Sequence, residues 1–328
     1  MRAIVCEAVS NALDGVHMRE RTVPQPGRKE VRVTIHAASL NPVDWKLACG
    51  VAPWMTPPRI LGLDGAGVVD AVGEDADHWR VGDRVAWHGN LARDGVFAEY
   101  AVAPEHVLAR IPDSVDFGAA AALPCAAMTA FQALVRKARV TVGETVLIQG
   151  AGGAVGGFAV QIAKSLGARV IALARPALFD RVRTLGADFV FDRHDRALRE
   201  RIHELTDHYG VDVMLEVANP GDARKSLDLI RYNGQLLCID PMPNLADVPP
   251  YTYAASIHEV ALGGAYACGH LPTQRDFPQM LQTLLSMVEQ GRLDPMIDRA
   301  IALNEVPQAL RDLREGASAG KIVVDVAR

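Results

Sequence analysis

Thr145-Val-Leu-Ile-Gln-Gly-Ala-Gly-Gly-Ala-Val-Gly-Gly-Phe-Ala-Val-Gln-Ile-Ala-Lys164 is a short apolar run that breaks at glycines and resumes with helical spacing. It reads as a strand, a tight turn and a helix. Gly150, Gly153 and Gly156 each answer a separate need: a sharp departure from the strand, the approach of backbone N–H groups to a diphosphate, and close packing of the helix on the sheet. A diphosphate at such a turn meets unpaired N–H groups and the positive end of the helix dipole. Glycine-rich turns of this kind also occur without a ligand, so context decides. Arg169-Val-Ile-Ala-Leu-Ala174 follows as a second apolar strand at the spacing of a βαβ unit, and the stretch is read as a dinucleotide-binding turn.

Outward from the turn, strand-like and helical pieces alternate. Strands are expected at 145–149, 169–174, 188–191, 212–217, 235–240 and 259–263, with helices such as 198–206 and 223–230 between them. Alternating βα units imply a parallel, doubly wound sheet, and the fold class is α/β. Before residue 112 the chain is a series of short strand-like pieces, at 2–7, 31–37, 67–72, 84–87 and 97–102, separated by turn residues as in a compact β-rich domain. Alanine-rich sequence from Ser114, with helical potential over 125–134, bridges the two. The tail adds an amphipathic helix over 277–290, stopped by Gly291, and a strand over 321–326.

Composition bounds the function. The 328 residues suffice for two domains, and 49% hydrophobic with 22% charged residues is the composition expected of an ordinary soluble protein. A net charge of -5 with dispersed Lys and Arg argues against a nucleic-acid partner. No stretch approaches the ~20 apolar residues of a membrane span, so no membrane partner is expected. Glu7 interrupts the N-terminus too early for a signal-peptide core, which points to a cytoplasmic protein. Cys6, Cys49, Cys125, Cys238 and Cys268 are scattered without a C-x-x-C pair, which argues against a disulfide framework or a four-cysteine zinc lobe.

Further markers lie along the chain: Asn41-Pro-Val-Asp44, Gly62-Leu-Asp-Gly-Ala-Gly67, Gly82-Asp-Arg-Val85, Gly95-Val-Phe-Ala-Glu-Tyr100, Ile111-Pro-Asp113, and Gly143-Glu through Gln161-Ile-Ala-Lys164. Together with the turn they resemble the medium-chain dehydrogenase/reductase superfamily, and within it the zinc-free quinone oxidoreductase or zeta-crystallin-like branch. The resemblance covers nearly the whole chain and implies a GroES-like β domain, residues 1–120 and 266–328, with a Rossmann NADP-binding domain, residues 121–265. It implies homodimers made by pairing the last Rossmann strands, here around 259–264. Ala154 stands where that branch usually has another glycine.

The resemblance also names site residues. Zinc-dependent relatives carry Cys, His and Cys as catalytic ligands, because Zn²⁺ needs soft or imidazole donors around an open position. Here those places hold Asn41, Leu63 and Cys125. One thiol cannot hold the ion and leucine has no lone pair, so no metal is expected and Cys125 is read as a small buried residue. The catalytic candidates are Asn41, which can orient substrate or cofactor through its amide, Asp44, and Lys46, a donor to a developing oxyanion. Asn-Pro-x-Asp is also sound turn chemistry, and Lys46 also reads as a snorkelling surface lysine. Cofactor-binding candidates are Thr129, Gly150, Ala151, Gly152, Gly153, Ala154, Val155, Gly156, Arg175, Arg193 and Ile239. Trp45, Trp54 and Tyr266 are candidates for an apolar pocket lining.

The second Rossmann strand ends Ala172-Leu-Ala-Arg175, and the first acid after it is Asp180. An acid there would bind the ribose 2′-hydroxyl of NADH; a cation without an acid favours the 2′-phosphate of NADPH. Arg175 is the expected phosphate partner, and Arg193 stands where relatives place a tyrosine on the same phosphate. Without a Lewis acid, hydride suits conjugated acceptors, whose charge delocalises onto oxygen. The expected activity is therefore NADPH-dependent reduction of quinones or α,β-unsaturated carbonyls. The alternatives are a zinc-type alcohol dehydrogenase and an NADPH-binding structural or sensing protein with little turnover.

Overall fold

The computed structural model describes residues 1–52, 55–217, 223–239, 242–246 and 248–326. β1 (Arg2–Cys6) and β2 (Val16–Glu20) pair antiparallel, Arg2 opposite Glu20. In β3 (Glu30–Ser39), Val31, Val33 and Ile35 are buried while Arg32, Thr34 and His36 alternate with them. The alternation stops at Ala37, after which Ala38 and Ser39 are buried together. Asn41 then caps α1 (Pro42–Ala48), with proline in its first turn, where a missing N–H costs nothing. β4 (Arg59–Ile60), β5 (Asp64–Val72), β6 (Arg84–His88), β7 (Tyr100–Pro104) and β8 (Ala109–Arg110) follow. Asp116 caps α2 (Phe117–Ala121) by accepting the N–H of Ala119 at 2.8 Å, and α3 (Ala126–Phe131) runs on into a wider turn at Gln132–Lys137.

The next part alternates as expected. β9 (Thr145–Gln149), α4 (Ala154–Ser165), β10 (Arg169–Ala174), α5 (Phe179–Thr184), β11 (Phe189–Asp192), α6 (Leu198–Leu205), β12 (Val211–Glu216), α7 (Ala223–Leu227), β13 (Ile230–Cys238) and β14 (Ser256–Glu259) succeed one another. The six strands lie in the order β11-β10-β9-β12-β13-β14, all parallel. β9, the strand that runs into the glycine turn, lies inside that order with helices following the strands, as in doubly wound sheets. Leu147, Ile171, Leu173, Met214 and Leu236 form part of its core.

After α8 (Gly264–Ala267) and α9 (Leu271–Glu289), β15 (Ile297–Ala302), α10 (Val306–Arg314) and β16 (Lys321–Asp325) return to the first sheet. Its order is β15-β16-β3-β5-β6-β8, with β7 also on β3, beside a small sheet β2-β1-β4. This is the β domain that the resemblance implies, and its core includes Val33, Leu61, Val69, Trp87, Phe97 and Val324. Chain contacts divide the molecule into one unit of residues 1–128 and 262–328 and another of residues 129–261. No helix among the described residues is long and apolar enough to cross a membrane.

Several local expectations shift: the helix expected to run to 230 ends at Leu227, with Ile230 already in β13, and the strand expected at 97–102 is β7, Tyr100–Pro104. The strand expected at 259–263 is β14, Ser256–Glu259; Val260 still donates to the Cys238 carbonyl, after which Leu262 begins a turn leading into α8. The strand expected from 235 starts earlier, at Ile230, and residue 240 lies outside the described residues. The tail helix starts at Leu271 instead of 277, because the His270 ring accepts the Thr273 N–H and a proline sits in the first turn. Its C-terminal side is as expected, with Gly291 at φ +64° just beyond it.

Candidate active site

In the β-unit, the end of β3, the start of α1, the start of β5 and the start of β16 bring Ser39, Asn41, Asp44, Asp64 and Lys321 together, each at most 2% exposed. Ser39 and Asp64 are register partners across β3 and β5. One oxygen of Asp64, Oδ2, receives Ser39 Oγ at 2.9 Å, Asn41 Nδ2 at 2.8 Å and Lys321 Nζ at 3.1 Å. Lys321 Nζ also donates to Asn41 Oδ1 at 2.6 Å and to the Leu40 carbonyl at 3.1 Å, so its three hydrogens have three acceptors. These partners fix the Asn41 amide: oxygen toward the ammonium, nitrogen toward the carboxylate and, at 3.4 Å, the Ser39 carbonyl. Both amide hydrogens are used inside the cluster.

Asp44 sits three residues into α1 and accepts the backbone N–H of Asn41 on Oδ2 at 2.7 Å, while Oδ1 is buried with no hydrogen-bond partner. Burial pushes its carboxyl up to about 8, against the Asn41 N–H; Asp64 adds to the rise and Lys321 opposes it. At neutral pH Asp44 therefore holds a proton. Burial also pushes the Cys125 thiol up, Asp64 adding and Lys321 opposing, which keeps it protonated. His88, opposite Asp64 in the β5–β6 register, is buried with Nδ1 unpartnered, and burial pushes its ring down toward the neutral form. The Tyr266 hydroxyl donates to the His88 carbonyl at 2.6 Å. Leu63 is buried, and Trp45 is partly buried with the Arg314 guanidinium over its ring. Trp54 lies outside the described residues. Lys46 is partly buried on α1, two positions past Asp44 and so on a different face. Among the described residues, no three His, Cys, Asp or Glu side chains stand together as a metal-holding group. A cavity of about 760 Å³ in the same unit, lined by Arg21, Arg59, Arg93, Asp94 and Tyr100, includes none of these side chains.

In the second unit the chain leaves β9 through Gly150 at φ +71°, and Gly153 caps α4 in an extended conformation. A Cβ on Gly156 would lie 2.2 Å from the Gly150 carbonyl oxygen, so the helix can pack on the turn only with glycine there. Gly153 differs: its Cβ would meet only that oxygen, at 3.5 Å, and its φ of -89° suits any residue. Nothing among the described residues requires glycine at 153, whereas a ligand drawn close to the backbone would. The exposed turn, the open space at Gly153 and the unpaired N–H groups of the first turn of α4 fit the diphosphate of a dinucleotide. Ala154 is the first residue of α4, where right-handed helical geometry suits alanine, so the missing glycine leaves the turn intact.

Gly152 is buried against Leu178, and Ala151 donates its N–H to the Leu173 carbonyl. Val155 lies in the first turn of α4, Thr129 is buried on α3, and Ile239 follows β13 and donates to the Glu216 carbonyl. Arg175 is exposed directly after β10 and its guanidinium has no partner among the described residues. Arg193, also exposed, donates to His194 Nε2 at 3.0 Å. Asp180 is taken by Arg183 at 2.9 Å. The acid beside the end of β10 is instead Asp192, opposite Ala174 in the β10–β11 register. Glu216, at the end of β12, accepts Ser226 Oγ at 3.3 Å on Oε2; Oε1 is unpartnered, and burial pushes the carboxyl up to about 7.

Sequence reasoning did not single out Ser39, Asp64 or Lys321 as site residues. Asp64 lies inside the quoted Gly62-Leu-Asp-Gly-Ala-Gly67 run, and an acid in an otherwise apolar, glycine-rich stretch was the available signal. Lys321 opens an apolar strand, a place where lysine is ordinarily solvated.

The family model described as Alcohol dehydrogenase GroES-like domain matches residues 27–113, and that described as Zinc-binding dehydrogenase matches residues 185–324. Over 309 residues the chain is 31% identical to a quinone oxidoreductase of Pongo abelii and 30% identical to one of Homo sapiens, in each case spanning 92% of this chain and 91% of the relative. Among solved structures, an alcohol dehydrogenase superfamily protein from Novosphingobium aromaticivorans matches with TM-score 0.89 at 32% identity, covering 99% of both chains. A quinone oxidoreductase from Pseudomonas syringae pv. Tomato matches with TM-score 0.87 at 27% identity, again over 99% of both.

Proposed function

The chain belongs to the medium-chain dehydrogenase/reductase superfamily as a quinone oxidoreductase-type member, an oxidoreductase of a family that binds nicotinamide nucleotides, and on that premise we propose that it reduces quinones or α,β-unsaturated carbonyls with NADPH and without zinc. One observation carries the reading. At the places where the resemblance puts metal ligands, the Asn41 oxygen is engaged by the Lys321 ammonium, Leu63 offers no lone pair, and Cys125 is held as a thiol.

When bound, the nucleotide supplies hydride. The chain's own residues do the rest: the turn from Gly150 to Gly156 holds the diphosphate on backbone N–H groups, and Arg175 meets the 2′-phosphate, with Arg193 nearby in sequence on the next strand's end. Asp44 keeps a proton on a buried carboxyl, and water protonates the product enolate. As part of the same proposal, residues 1–120 and 266–328 form the catalytic domain and 121–265 the NADP-binding domain. The protein acts as a cytoplasmic homodimer through β14, whose outer edge has no paired strand among the described residues.

The test is NADPH oxidation by purified protein with 1,2-naphthoquinone, 9,10-phenanthrenequinone, acrolein and a long-chain enone, beside metal analysis. Turnover on at least one acceptor with well under one zinc per chain is expected. Binding of NADPH with no oxidation on any acceptor, or stoichiometric chelator-sensitive zinc, would overturn the reading.

A further inference from the structure

A buried ammonium is an expensive group to keep: its desolvation is offset only by well-placed partners, and an apolar replacement of an ion pair is often as stable. Lys321 is 1% exposed, its ion-pair partner Asp64 is fully buried, and the pair lies among Ser39, Asn41 and Asp44. Two of the three Lys321 bonds go to Leu40 and Asn41, the residues that lead into α1. An amino group at the start of β16 thus pins the entrance of a helix 280 positions earlier in the chain. That helix carries Asp44.

We propose that Lys321 is a positioning residue of the active site: its ammonium, held by Asp64, orients the Asn41 amide and anchors the first turn of α1, which carries Asp44. The inference rests on the oxidoreductase reading above. Through Asn41 it acts geometrically. With the oxygen turned to Lys321, the amide nitrogen must face Asp64, and the Asn41 backbone N–H is aimed at Asp44 Oδ2. On Asp44 it also acts by charge. The groups that act on Asp44 are the Asn41 N–H and Lys321, which favour its ionised form, and Asp64, which disfavours it. Around the same pair, His88 is neutral and Cys125 is a thiol, so neither adds a charge. Of the two charges, Asp64 acts on Asp44 more strongly than Lys321 does.

Two variants separate positioning from mere support. Lys321→Met leaves the Asp64 carboxylate buried and unpaired, so its thermal unfolding should fall. The Asp44 carboxyl, followed by carbon-13 NMR, should titrate higher than in the wild type. Lys321→Met with Asp64→Asn removes both charges and should recover most of the stability. It should still lose about tenfold or more in kcat, with KM for NADPH little changed, and Asp44 should titrate lower than in the wild type. A double variant with wild-type kcat and an unmoved Asp44 titration overturns the proposal. If the wild type oxidises no NADPH on any acceptor, the oxidoreductase reading fails while the Asp44 titration still judges Lys321. A third measurement needs no variant: the nitrogen-15 signal of Lys321 Nζ should be that of a protected ammonium at pH 7, and a neutral or freely exchanging amine overturns the inference.

Discussion

Arg175 stands exposed just past β10, with no carboxylate among the described residues bonded to its guanidinium. A surface arginine left unpaired at the carboxyl end of a Rossmann strand is free to take a phosphate bidentately. One charge works against it: Asp192 ends the neighbouring strand opposite Ala174, although its Oδ1 is engaged by the His194 N–H at 3.0 Å. Charge-assisted bonds are worth about 1.5–3 kcal/mol, so Arg175→Ala should raise KM for NADPH about 10- to 100-fold and leave KM for NADH nearly unchanged. Equal effects on both nucleotides would remove Arg175 from the phosphate site. Asp192 also marks what a linear sequence conceals. Read along the chain, Asp180 is the first acid after β10; read across the sheet, Asp192 is the neighbour, because register joins residues that sequence separates. The buried polar cluster of Ser39, Asn41, Asp44, Asp64 and Lys321 divides in the same way. Asn41 and Asp44 were legible because turn chemistry and a shared motif hold them together, whereas Lys321 meets Asn41 only once β16 has returned to β3.

The turn between β9 and α4 was legible as strand, turn and helix, since Gly150 and Gly156 answer local backbone demands. Its glycines differ in why they are needed, and substitution can tell them apart. Gly156→Ala drives a methyl into the Gly150 carbonyl and should destabilise the nucleotide unit by about 2 kcal/mol or more, followed by urea unfolding. Gly153→Ala adds a methyl in ordinary contact with the same oxygen, so stability should stay within about 1 kcal/mol. NADPH affinity, measured by fluorescence titration, should nevertheless fall about tenfold, because the methyl stands where the diphosphate approaches. Wild-type affinity in Gly153→Ala would mean the diphosphate does not approach there. Other elements were less legible. β2 buries only Val16 and so lacks alternation; β4 and β8 are two residues long, below the length at which a period can be read. The early start of α9 came from a histidine cap, which is outside the usual capping residues.

At the scale of the whole molecule, each unit buries a carboxyl that holds its proton to higher pH when folded: Asp44, pushed by burial from 3.8 to about 8, and Glu216, pushed by burial from 4.5 to about 7. Between the unfolded and folded values the folded state binds the extra proton, so each carboxyl makes stability fall as pH rises through that window. Three histidines act in the opposite sense. His36, His88 and His258 are pushed below 6.5, chiefly by burial, so the unfolded chain binds their protons and stability rises with pH until 6.5. Below 6.5 the two sets oppose each other. The arginine-paired carboxylates of Glu7, Asp83 and Glu99 are pushed down, so their contribution is lost only as pH falls below the ordinary carboxylate range. The raised thiols of Cys6, Cys125 and Cys238 act only above about 9. From 6.5 to 8 the carboxyls outweigh the histidines, whose remaining unfolded-state protons are lost just above 6.5, and Asp44, with the higher value, dominates the upper part of the window. One pH unit of such a titration is worth about 1.4 kcal/mol, so the β-unit should lose about 1–2 kcal/mol between pH 6.5 and 8, read from urea unfolding at the two values. Asp44→Asn keeps an acceptor for the Asn41 N–H while removing the ionisable group, and should flatten most of that decline; Glu216→Gln should remove a smaller share, centred near 7. A wild type equally stable at both values, or an Asp44→Asn variant that keeps the full decline, would show that Asp44 is ionised in the folded protein.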